Sequence, residues 1–296
     1  MATMTPVATT APSGDQPRAR RRIVARPVTW IVWAVVAFFF VNLLGVVMSV
    51  VVDSFGKSWF GTWLPSGFTT HWYGDAWSEF GLHQVLWVTA EVALSVVVIS
   101  VLIGAPTAYV LARRDFPLKK VVLLLFLLPI LVPPITYGIP LAIVLYKAHL
   151  AGHLTGVILA NLVPSVPFVV LTMTPFIEQI DPKIEAAARM CGANTWAVMI
   201  RVLAPLVVPG LLAAGILVLI RTVGMFELTF LTAGPTSQTL VVALYSAVFS
   251  AGIRAQQSID AMAVIYTGSM LVLLLIALRF VNPTQLVTRV REEPTA

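Results

Sequence analysis

Charge is what this sequence has least of. Its 296 residues carry 13 acidic and 19 basic side chains, 11% together, against 58% hydrophobic ones. Soluble domains average about 25% charged residues. With a mean hydropathy of +0.92, a water-soluble domain and a disordered chain are both excluded. Cysteine is nearly absent: Cys191 stands alone, which excludes a disulfide framework. His149 and His153 share a short loop with no third ligand nearby, so a metal site is not expected. No Gly-rich loop ending in Lys-Ser/Thr is present, so the chain does not bind ATP by such a loop. No Ser/His/Asp set or paired-carboxylate set can be argued, which speaks against an enzyme. A clear internal repeat, expected of a stand-alone secondary transporter, is also missing.

What is there is a series of apolar runs. Pro27–Val52, Val92–Ala112, Val121–Tyr146, Ala148–Ile177, Val202–Ile220, Leu228–Ile253 and Ala261–Leu278 contain no Asp, Glu, Lys or Arg. Each reaches the length of about 18 residues that marks a spanning candidate. The sixth run is interrupted by Ala233-Gly234-Pro235-Thr236-Ser237-Gln238, a turn sequence. The expected reading is a fifth helix over about 206–231, a short re-entrant segment over 239–252 and a last span over about 259–280. That makes an all-α membrane protein with six transmembrane helices.

The basic residues test this count. With both termini in the cytoplasm, 15 of the 19 lysines and arginines fall inside, Lys57, Lys147 and Arg254 fall outside, and Arg221 lies in a span. A seven-span arrangement separates them less well, so the positive-inside rule favours six. The same distribution turns the net charge of +6 into a statement about topology and removes nucleic acid as a partner. Membrane lipid is the expected surrounding.

Residues 1–26 read as a disordered cytoplasmic tail, 27–282 as the membrane domain and 283–296 as a second cytoplasmic tail. The first span follows a late arginine cluster and shows no cleavage site, so it is expected to be a retained anchor. The external segment Asp53–Gly81 carries Trp59, Trp63, Trp72, Tyr73 and Trp77. An aromatic belt at the interface explains them; a docking surface for an external partner is the sharper alternative.

The most informative stretch lies between the fourth and fifth spans, residues 181–205. Asp181 is a good N-cap and Pro182 a good first helical residue. The alanines at 186–188 favour helix, Gly192 stops it, and Asn194 caps a second helix expected to end near Pro205. The result is a helix–glycine–helix bracket beside the membrane.

This stretch resembles the cytoplasmic EAA loop of binding-protein-dependent ABC importer permeases. Aligned on Gly192, Ala187 and Ala188 match the two alanines, and Ala186 stands where that family usually has glutamate. Glu185 matches an acidic residue often found just before it, and the family's Leu-Pro reads Ala204-Pro205. The resemblance extends over roughly 81–282. Gly104-Ala105-Pro106-Thr107-Ala108-Tyr109 with Ala112-Arg113 is similar to the end of the second span. Pro129-Ile130-Leu131-Val132-Pro133-Pro134 is similar to a proline-broken third span. Phe226-Glu227, then Gly234-Pro235, Gln238-Thr239-Leu240 and Tyr245, is similar to the fifth span and its re-entrant segment.

The resemblance implies a multi-pass protein of the bacterial cytoplasmic membrane that hydrolyses no ATP itself and needs no cofactor of its own. ATP would be bound by a partner ATPase dimer. A second permease, homologous or a copy, would complete the path, and an extracytoplasmic binding protein would deliver substrate. Glu185, Ala187, Ala188, Arg189, Gly192 and Ala193 are the expected ATPase-coupling residues. Pro133 and Pro134, with the intramembrane charges Glu91, Arg221 and Glu227, are the candidates for the translocation path. The fifth-span pattern looks closest to the polyamine, ferric iron and phosphonate branch, with the sugar branch next. Glu227 and Glu91 suit a cation such as a polyamine, whereas Arg221 argues the other way.

Overall fold

In a computed structural model, residues 27–59, 61–249 and 255–280 are described. The expected tails at 1–26 and 283–296 lie outside them. The chain divides into two compact units, 1–48 and 49–296.

Within the first unit the described residues belong to helix α1 (Pro27–Phe55), which runs on into the second unit. Its large side chains up to Met48, Trp30, Phe38 and Phe39 among them, are exposed. Such a helix is apolar all round, which suits lipid rather than water.

The second unit is a helical bundle. After α1, a loop closed by an isolated bridge between Gly56 and Phe68 leads to α2 (His71–Glu79) and α3 (Leu82–Arg113). Next come α4 (Lys119–Leu131), α5 (Pro134–Lys147) and α6 (Leu154–Glu178). The bracket contributes α7 (Pro182–Met190) and a single turn, α8 (Thr195–Ala197). A π-helical turn, Val198–Leu203, joins α8 to α9 (Ala204–Val223). The chain finishes with α10 (Glu227–Thr232), α11 (Leu240–Phe249) and α12 (Gln256–Phe280).

Among the described residues, five helical stretches are long and apolar enough to cross a bilayer: Thr29–Phe55, Leu82–Arg113, Leu154–Glu178, Thr195–Val223 and Gln256–Ile276. The pair α4 and α5 makes a sixth if it is counted as one broken span. The two are bent by 98°. The bend has a local cause. A residue before proline is pushed out of the α region; Val132 precedes Pro133, which precedes Pro134. Both Val132 (ψ 132°) and Pro133 (ψ 133°) are extended.

The core is made where α3, α6 and α9 meet. Val92, Val96, Val157, Val169, Met173 and Val218 are buried there. Lipid tails are as apolar as leucine, so helices in a membrane gain by approaching closely, and small residues permit this. A Cβ on Gly104 of α3 would lie 2.7 Å from Val169 of α6, and one on Gly210 of α9 would lie 2.9 Å from Phe176. At the end of the bundle away from the bracket, Ala76, Leu82, Leu240, Ala243, Ile259 and Met262 form a second core joining α2, α3, α11 and α12. The Leu240 N–H donates to the Thr89 hydroxyl (2.8 Å), pinning the start of α11 to α3.

Three sequence expectations need correction. The fifth helix does not run to 231: α9 stops at Val223, and the chain restarts as α10 at Glu227. Gly224 interrupts the helix, while Met225 and Leu228 turn into a small core with Leu145 and Ala160. The second bracket helix does not end near Pro205. The π turn Val198–Leu203, an irregularity in the backbone hydrogen bonding, lies just before Pro205 and leads directly into α9, so residues 195–223 are one continuous helix. The last helix begins at Gln256 rather than 259.

Candidate functional site

The ends of the bracket's helices are set by local rules. The Asp181 carboxylate accepts the Lys183 N–H at 2.9 Å, capping α7, and Pro182 follows at the first helical position. At the other end Ala193 N–H donates to Ala188 C=O (3.1 Å) and Gly192 N–H to Arg189 C=O (3.0 Å). This is the Schellman arrangement, which needs a left-handed residue at its hinge. Gly192 supplies it with φ +85°. The Asn194 side chain then accepts the Ala197 N–H at 2.8 Å and starts the next helix.

Between the two arms lies an open cleft of about 720 Å³ lined by Ala188, Cys191, Ala193, Trp196, Ile200 and Arg201. Two large apolar side chains of the bracket are bare: Met190 is 85% exposed and Trp196, which lines the cleft, 72%. Exposed apolar patches rimmed by polar residues mark contact with a protein or a membrane. Ala187 and Arg189 are exposed beside it, and Ala188, Gly192 and Ala193 line the cleft.

Glu185 behaves otherwise. It was expected to face a partner, but it is only 5% exposed and turns into its own chain. Its Oε1 accepts from Arg113 Nε at 2.7 Å, and its Oε2 accepts from the Tyr109 hydroxyl at 2.9 Å. Arg189 stands 3.8 Å from the same Oε2. Arg113 also donates through Nη2 to the Ile180 carbonyl at 2.8 Å. In the sequence Arg113 is one of the basic residues that report topology and Tyr109 is part of a motif; nothing local to either residue announces the contact.

A second polar group lies within the bundle. Tyr137, one turn after Pro133-Pro134, is within electrostatic reach of both Arg221 and Glu227. Its buried hydroxyl has no hydrogen-bond partner among the described residues. Arg221 sits over the Phe168 ring at 5.8 Å. The break at Gly224 puts Arg221 and Glu227 on different helices, α9 and α10. Four candidates for the path, Pro133, Pro134, Arg221 and Glu227, are thus found around α5 and the α9–α10 break. Glu91 is exposed on α3. Tyr137 was missed because a tyrosine in an apolar run carries no sequence signal.

Residues 97–286 match the family described as binding-protein-dependent transport system inner membrane component, and the chain belongs to that family. It is 31% identical over 184 residues to the sulfoquinovosyl glycerol transport system permease protein SmoH of Agrobacterium fabrum, covering 62% of this chain and 65% of that one. It is 32% identical to the molybdenum transport system permease protein ModB of Haemophilus influenzae, covering 56% and 81%. Its fold is similar to a crystal structure of a bacterial ABC transporter involved in the import of the acidic polysaccharide alginate, with a TM-score of 0.69 at 18% identity, over 86% of this chain and 96% of that one.

The exposed sulfur of Cys191 offers a direct assay of the bracket. A maleimide is expected to label the purified chain at this one position, since no other cysteine exists. An ATPase seated on the bracket, as proposed below, is expected to slow labelling about tenfold or more. Equal labelling with and without the ATPase would show that the cleft stays open.

Proposed function

We propose that this chain is one half of the membrane path of an ABC importer and is driven by a separate ATPase that seats on residues 181–205. The reading has six spans, with α4 and α5 together as the third, and both termini in the cytoplasm. A second permease, homologous or a copy, completes the path, and an extracytoplasmic binding protein loads it. The observation that carries the reading is the bracket: its cleft is open, lined by both apolar and polar residues, and each of its two helices starts at a side-chain cap. Closure of the ATPase dimer would push the bracket and tilt α6 and α9, which continue from its two ends. This is rigid-body alternating access. The permease carries no catalytic role in hydrolysis.

For the substrate, Glu227 and Glu91 support a polyamine, while Arg221 supports a sugar or an oxyanion. The relatives' names favour the second class: sulfoquinovosyl glycerol and molybdenum are among them, as is diacetylchitobiose for a permease of Streptomyces coelicolor. We take a sugar or oxyanion as the better supported substrate. Two measurements test the whole reading. Affinity purification of this chain from its own membranes is expected to bring an ATPase and a binding protein with it; recovery of the chain alone would refute the assembly. Calorimetric titration of that binding protein is expected to show heat with a sugar or with molybdate. Heat with spermidine alone would return the reading to a polyamine.

A further inference from the structure

The geometry points to Arg113 and Glu185 as positioning residues that clamp the bracket to the end of α3, so that α3, α6 and the bracket move as one piece. This rests on the reading of 181–205 as the ATPase seat, and it adds a third driven helix. The bracket is covalently continuous with α6 on one side and α9 on the other. No peptide link joins it to α3, whose last residue, Arg113, lies 72 positions before Glu185.

The clamp has two arms from one guanidinium. Arg113 Nε donates to Glu185 in the first turn of α7, and Arg113 Nη2 donates to the Ile180 carbonyl just past the end of α6. A planar fork can hold two acceptors in a fixed relation, which an ammonium cannot. Tyr109, one turn earlier on α3, takes the other carboxylate oxygen. Both oxygens of Glu185 are therefore engaged from α3. The pair is largely shielded from water, with 11% and 7% of the Arg113 and Glu185 side chains exposed. Charges withdrawn from water in this way are costly to separate, so a push on α7 is transmitted to α3 rather than breaking the contact. The lower length of α3 packs against α6 through Ala108, Gly104 and Val169, which extends the rigid piece into the bundle.

The test uses the whole transporter in proteoliposomes and the permease alone in detergent. Spin labels are placed on native Cys191 and on Arg114→Cys, an exposed site next to the clamp, in the permease alone, because a label on Cys191 would occupy the ATPase seat. In the otherwise unchanged permease the distance between them is expected to be single and narrow. Arg113→Met and the near-isosteric Glu185→Gln are expected to broaden it, and their coupling is measured in the whole transporter without spin labels. The same variants are expected to lower solute moved per ATP hydrolysed by about tenfold while Cys191 stays protected by the ATPase. Arg113→Lys should restore less than half of the coupling, because it loses the fork. If Arg113→Met does not insert, Glu185→Gln and Tyr109→Phe decide the matter. An unbroadened distance in Glu185→Gln, or unchanged coupling, overturns the clamp. Loss of Cys191 protection in the unchanged protein would instead overturn the ATPase seat.

Discussion

Replacing Gly192 with valine is expected to cut solute uptake at least tenfold while leaving the protein in the membrane. The effect is confined to the backbone. Gly192 holds φ +85°, a left-handed conformation. For other L-residues it costs roughly 1–2 kcal/mol, and a β-branched side chain sits at the unfavourable end. A Cβ there meets nothing within 4 Å, so no clash contributes. The added cost falls on the Schellman turn alone and shifts the angle between α7 and the helix starting at Thr195. About 1.4 kcal/mol is a factor of ten in a population, and only the correctly angled bracket can seat. Gly192→Asn is the matched control, because asparagine tolerates this conformation, and it should keep most of the uptake. Uptake and ATP hydrolysis measured together in proteoliposomes decide it. Full uptake in Gly192→Val would mean that the hinge angle is irrelevant to coupling.

Gly104→Leu is expected to damage the bundle itself. The first added atom would lie 2.7 Å from Val169 Cγ1 and 2.8 Å from its Cβ. Those atoms sit at the root of a stiff side chain, which cannot swing aside. Overpacking of this kind costs about 1–3 kcal/mol, so the thermal midpoint in detergent should fall by about 5 °C. Adding Val169→Ala removes the nearer atom and should recover part of the loss. An unchanged midpoint in the single variant would show that α3 and α6 do not meet as closely as described.

Much of this protein can be read from residue order. The apolar runs announce the helices, and their placement needs nothing beyond the thickness of a bilayer. The bracket is equally legible: Asp181, Pro182, Gly192 and Asn194 each act on backbone groups no more than five residues away. The Pro133-Pro134 bend is visible for the same reason. The break in the fifth helix is not. A lone glycine inside an apolar run is compatible with an unbroken helix, and Gly224 gives way because Met225 and Leu228 find a core with Leu145 and Ala160. Asn161, 68 positions away from Thr229, bonds it at 3.2 Å and holds α10 in its new direction.

Glu185 marks the boundary most clearly. From its spacing to Gly192 it belongs on the bracket, and that placement is a matter of helical period. Which way its carboxylate turns is not. An exposed glutamate facing a partner and a buried one clamped to Arg113 share the same local sequence. They differ only in whether the end of α3 lies within reach, and that depends on the packing of α3 against α6 along its whole length. Sequence by itself determined residence in the membrane, the helices, the proline bend and the capped bracket, because those follow from hydropathy and short-range backbone bonding. Tertiary structure alone decided the break at Gly224, the grouping of Tyr137 with Arg221 and Glu227, and the inward turn of Glu185. Each of these needs groups far apart in the chain to meet: an apolar core for the break at Gly224, and, for Glu185, partners without which a buried carboxylate is too costly.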